Sequence, residues 1–78
     1  MDVGHLVKMA NQIEQYFIGE GDNELAIAGI ESHLRRFWEP RMRKAIIEHC
    51  AEGGEGLGEF ARQAVERLGR SEKPGVRP

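Results

Sequence analysis

The chain is poor in the features that mark several protein classes. Cys50 is its only cysteine, so no internal disulfide can form and nothing implies an oxidising compartment. No apolar run approaches the length of a bilayer span. The N-terminus, Met1-Asp2-Val3-Gly4-His5, lacks the basic start and long apolar stretch of a secretory signal, so a soluble cytoplasmic protein is expected. The net charge is only −2, which suggests neither a nucleic acid nor an anionic membrane as partner. Strand-like alternation, internal repeats and low-complexity tracts are missing. Paired metal-ligand motifs are missing too. His5, His33 and His49 are scattered, and the adjacent His49 and Cys50 point about 100° apart on a helix. No metal site is expected. Cys50 reads as a small buried apolar residue and His33 as part of a basic cluster. With 78 residues the chain has room for one small domain and too little interior to wall off a deep catalytic site.

What is present is helical periodicity. From Val3 to about Ile18, Leu6, Met9, Ala10, Ile13, Tyr16 and Phe17 form a stripe roughly 120° wide. Asp2 is its N-cap, and Gly19 and Gly21 end it. A second helix, capped by Asp22 or Asn23, runs to about Phe37 with Ala26, Ile27, Ile30, Leu34, Phe37 and Trp38 inward. Gly29 within it allows close approach of another helix. Pro40 stops this helix and opens a third, to about Cys50, with Glu39 beside its N-terminus. Met42, Ala45, Ile46 and His49 or Cys50 face its core, and Ile47 is expected at the surface. Gly53-Gly54-Glu55-Gly56 breaks the chain. A fourth helix, about residues 57–68, buries Leu57, Phe60, Ala61, Ala64, Val65 and Leu68, and Gly69 ends it. Glu14, Glu48, Glu52, Glu59 and Glu66 are expected on solvated faces. The expected fold is all-α: a small bundle of about four short amphipathic helices over residues 1–68, with a disordered C-terminal tail over 69–78. Such a chain sits near the lower size limit for independent folding, so a partner that completes its burial is expected.

Charge is unevenly placed. Between Arg35 and Lys44 stand five cations (Arg35, Arg36, Arg41, Arg43, Lys44) and one anion, Glu39, on an otherwise acidic body. That is a docking pattern. With Phe37 and Trp38 interleaved, the corner from His33 to Arg43 is the best functional candidate, because Trp and Arg are frequent interface anchors. The plainer alternative is that Phe37 and Trp38 fill the core and the arginines are solvated. Arginine forks suit carboxylates or phosphates. The start of the third helix adds free N–H groups, so Arg36, Arg41 and Arg43 are candidate ligands for an anionic cofactor. Lys8, Asn11, Gln12 and Gln15 make an amide-rich face, either solvated or a second docking strip.

Three runs carry a resemblance: His5-Leu6-Val7-Lys8-Met9-Ala10-Asn11-Gln12-Ile13, then His33-Leu34-Arg35-Arg36-Phe37-Trp38-Glu39-Pro40-Arg41-Met42-Arg43, then Gly53-Gly54-Glu55-Gly56-Leu57. In this order, over about residues 5–65, the chain resembles the delta subunit of soluble, molybdenum-containing, NAD-dependent formate dehydrogenases. The resemblance implies a holoenzyme that oxidises formate at a molybdenum (or tungsten) bis-guanine-dinucleotide centre. Electrons then pass through iron–sulfur clusters and FMN to NAD. It implies that this chain binds none of these alone. It carries no catalytic residue and accompanies the catalytic alpha subunit in assembly, stability or cofactor loading. The partner-binding residues expected on this reading are His33, Arg35, Arg36, Trp38, Arg41, Arg43, Lys8, Asn11 and Gln12. Two other readings stay open: a transient chaperone that inserts the molybdenum cofactor, and a helix-turn-helix nucleic-acid binder. The proline between the arginine pairs argues against the latter, since a recognition helix is continuous.

Overall fold

A computed structural model of the chain describes residues 2–72. Four helices make up most of it: α1 (Val3–Phe17), α2 (Asn23–Phe37), α3 (Pro40–Ala51) and α4 (Glu59–Glu72). A single 3-10 turn, Ile18–Glu20, follows α1, and the described residues include no strand. Of the tail expected over 69–78, residues 73–78 lie outside the described residues, while 69–72 form the last turn of α4.

The helix starts follow local chemistry. Asp2 accepts a hydrogen bond from Gly4 N–H at 3.0 Å, and Asp22 accepts one from Glu24 N–H at 2.9 Å. Each carboxylate satisfies a donor that the helix leaves without an intrahelical partner. Gly21, at φ 95°, turns the chain between α1 and α2 in a conformation open to glycine. Pro40 opens α3 and holds Trp38 and Glu39 extended, which makes the α2–α3 corner.

The core joins all four helices. Leu6 and Ala10 come from α1, Ile27, Ile30 and Leu34 from α2, Trp38 from the corner and Ile46 from α3. α4 contributes Ala61, Ala64, Val65 and Leu68, all fully buried, and touches each of the other helices. Its two alanines let the neighbouring helices close on it. Gly29 serves a similar end. A Cβ there would lie 2.6 Å from the Phe17 ring, so the glycine makes the seat for that ring.

Five expectations change. Tyr16, read as core, is 75% exposed, and Phe37 is 67% exposed. Trp38, extended by the following turn, folds its indole inward and is only 5% exposed. Ile47 is partly buried rather than at the surface, because it packs where α4 carries Gly69; a Cβ on that glycine would meet Ile47 Cγ2 at 3.1 Å. Gly69 is therefore a close-approach residue inside α4, not its end. Finally, α4 begins at Glu59, two residues later than the periodicity predicts, for a reason that lies on α1.

Candidate functional site

The glycine run and α1 form one polar junction. Gly53, Gly54 and Gly56 have φ of 120°, 65° and 90°, values that side-chain-bearing residues rarely adopt, so a helix cannot run through them. The loop is pinned from α1. Asn11 donates from Nδ2 to Gly56 O at 2.9 Å and accepts from Gly58 N–H at 2.8 Å. One turn on, Glu14 Oε1 accepts from Ala61 N–H at 2.8 Å. His49 Nε2 reaches Glu55 O at 2.8 Å from the other side.

Gly58, just before α4, has no side chain with which to cap it. Glu14 supplies the missing acceptor from another helix, against the positive end of α4. The fit is close: a Cβ on Gly58 would lie 2.4 Å from Glu14 Oε1. Glu14, expected on a solvated face, is only 9% exposed. The signal was in the sequence. Val3 and Val7 lie on Glu14's side of Ala10, so the apolar stripe of α1 is turned away from Tyr16 and toward Glu14. Asn11, expected on a docking strip, holds this junction instead. Lys8, Gln12 and Gln15 from that strip are exposed.

The basic corner divides into an inner and an outer half. Arg43 donates to Trp38 O and, at 3.4 Å, to Arg35 O, so it covers the carbonyl end of α2. Arg35 pairs with Glu31 one turn back and donates to Ser71 Oγ of α4 at 3.0 Å. Arg35, Arg43 and Trp38 are thereby built into the fold. Arg36 and Arg41 are exposed, and among the described residues no carboxylate pairs with either.

Beside the outer half runs a chain of rings. Tyr16 and Phe17 meet edge to face with centroids 5.0 Å apart. Phe17 lies 6.5 Å from His33, and His33 lies 4.8 Å from Phe37. The Arg36 guanidinium sits 5.8 Å from the centroid of the Phe37 ring, a cation–π contact. A shallow groove of about 440 Å³ opens beside these rings and is lined by Met9, Gln12, Ile13 and Trp38 with Tyr16, Phe17 and His33. Of the residues expected at a partner surface, the structure brings together His33, Arg36, Gln12 and the buried Trp38 here. Periodicity missed Tyr16 and Phe37 as surface residues because it assigned both to the core. Neighbouring exposed aromatics flanked by an arginine are an interface composition.

Among the described residues, no three His, Cys, Asp or Glu side chains come together as metal ligands, and no helix is long and apolar enough to cross a membrane. The uncapped start of α3 places Arg41 beside open N–H groups, since Glu39 makes no side-chain cap there. Arg43 faces the other way, toward the end of α2.

Comparison with known families gives a match. The model for the NADH-dependent formate dehydrogenase delta subunit, FdsD, covers residues 5–65. No curated protein and no solved structure matches the chain.

Proposed function

The chain belongs to the NADH-dependent formate dehydrogenase delta-subunit family, and from that premise we propose that it is a non-catalytic subunit docking on the catalytic alpha subunit. The observation that carries the docking surface is Phe37. It is a large aromatic, 67% exposed, joined to Tyr16 through two further rings and covered on one side by Arg36. Buried against a partner, such a ring is an anchor, and the unpaired Arg36 and Arg41 select a carboxylate-bearing surface around it. The complex works in the cytoplasm, where it serves a molybdenum (or tungsten) centre, iron–sulfur clusters, FMN and NAD that the larger subunits carry.

The physical role is stabilisation by mass action. A partner that binds only the folded, cofactor-ready alpha subunit raises the population of that state. Assembly and cofactor loading then improve without any group of this chain touching formate. The test is co-purification of the holoenzyme from cells carrying Phe37→Ala with Arg36→Glu, with molybdenum content measured on the isolated complex. Loss of the small subunit and a lower metal content are expected. Unchanged composition and metal content would overturn the docking assignment.

A second reading has its own observation. Arg41 stands by the open N-terminus of α3, with Arg36 also unpaired, an arrangement suited to phosphate. On that reading the chain is a transient cofactor-insertion chaperone. Titration of the purified chain with a guanine dinucleotide at low salt separates the two. Saturable binding lost in Arg41→Glu favours the chaperone; no binding favours the docking subunit.

A further inference from the structure

α4 ends beside the place where α2 ends and α3 begins. Arg35 donates to Ser71 Oγ at 3.0 Å, and Arg70, one residue earlier, lines a groove with Pro40 and Lys44 at the start of α3. The basic corner, contiguous in sequence from Arg35 to Lys44, therefore gains a cation from the other end of the chain. Ion pairing sets this pole apart. Arg62 pairs with Glu59 and Glu66, Arg67 with Glu24 and Arg35 with Glu31, while Arg43 donates to carbonyls. Arg36, Arg41, Lys44 and Arg70 are exposed, and among the described residues no carboxylate pairs with any of them. Glu39 is the anion that the corner's own sequence places among them, and the four outnumber it. The chain continues past α4 with Lys73 and Arg77 and has no acidic residue among 73–78. The cationic patch is compact. Glu48 and Glu66, each one helical turn from Lys44 and Arg70 respectively, line the same groove and bound the patch with negative charge.

We infer that this pole, built from the ends of three helices and continued by Lys73 and Arg77, steers the chain onto a carboxylate-rich face of the partner subunit and sets the association rate. The inference rests on the docking reading and gives it a second step. Phe37 holds the complex once it has formed, and the pole brings the two surfaces together. Lys44 and Arg70 suit that role because they line a different groove from the one beside the rings, so they act through their field rather than by filling the contact. The rest of the molecule acts in the same direction. With a net charge of −2 over the whole chain, a cationic pole leaves an acidic remainder, and that asymmetry turns this end toward carboxylates and the other end away. A long polyanion such as nucleic acid would run from the pole onto Glu48 and Glu66 and be repelled. A discrete protein surface is the partner that the charges favour.

The test separates association from dissociation. The full chain is bound to formate dehydrogenase complex purified from cells lacking this subunit, and both rates are read by surface plasmon resonance from about 0.02 M to about 0.5 M salt. The parent's association rate should fall steeply as salt rises. Lys44→Gln with Arg70→Gln should associate about tenfold more slowly than the parent at low salt, and the gap should close at high salt. Dissociation should stay within about twofold. A chain ending at Glu72 should show the same pattern at smaller size, and equal association would overturn the part given to Lys73 and Arg77. Circular dichroism melts check that the variants fold, and the salt dependence of the parent needs no variant. A parent association rate independent of salt, or a double variant altered only in dissociation, would overturn the inference and leave the docking reading standing. Retention of a generic DNA duplex by the parent at physiological salt, lost in the double variant, would overturn it in favour of a nucleic acid. No binding of the parent at any salt would overturn both.

Discussion

The junction between α1 and the glycine run and the corner between α2 and α3 draw on similar residues and use them in opposite ways. Each joins a chain-breaking element, glycine or proline, to polar side chains. At the junction every polar group named turns inward: Asn11 on Gly56 and Gly58, Glu14 on Ala61, His49 on Glu55. At the corner only half does. Arg35 and Arg43 are tied to the fold, while Arg36, Arg41 and Phe37 face outward. Composition alone therefore says little about role. What decides it is whether a residue's nearest unsatisfied neighbour belongs to the same chain. A substitution at the junction should act on stability, and one at the outer corner should act on association.

The sharpest way to break that contrast is Gly58→Ala. Its Cβ would displace Glu14, adding overpacking to a lost cap, and stability should fall by about 3 kcal/mol. Urea denaturation followed by circular dichroism measures it; an unchanged midpoint would refute the cap. Glu14→Ala follows at about 2 kcal/mol, because the Ala61 N–H loses its acceptor in a buried place. Asn11→Asp should cost less, about 1 kcal/mol, since it keeps the acceptor for Gly58 but loses the donor to Gly56. Phe37→Ala is the counter-case. Its effect on folding should stay within about 0.5 kcal/mol, while association with the partner weakens at least about tenfold. Thermal melts and co-purification read the two separately. The smallest effect concerns Glu24, whose carboxyl is held below the ordinary range by its hydrogen bond and charge pairing with Arg67. A lowered folded-state pKa gives a contribution present above the unfolded pKa and lost as pH falls through the folded one. The melting-temperature gap between the parent and Glu24→Gln should thus shrink only on acidification; a gap independent of pH would contradict the pairing.

The same contrast explains what the sequence made legible. Asp2, Asp22, Gly21 and Pro40 act on their own neighbours, so the first three helices start where propensity places them. The start of α4 depends on Asn11 and Glu14, more than forty residues away, and no local rule contains it. Phe37 leaves its expected place in the core while Trp38 keeps its own, because Pro40 breaks the helical register in which both were read. The basic corner itself was legible as a cluster. Which arginines face outward was not, because that depends on carbonyls and a serine supplied by the ends of α2 and α4.

Glu14's reach across to α4 also sets an order in time. During synthesis α1 leaves the ribosome first, with a carboxylate that has nothing to hold. α4 carries much of the interior surface and is made last, with no acceptor of its own for the N–H of Ala61. Neither helix is complete without the other, and the two in between must already be placed for them to meet. The domain should therefore close in a single cooperative step, and a chain cut short before Ala61 should have no stable partial form.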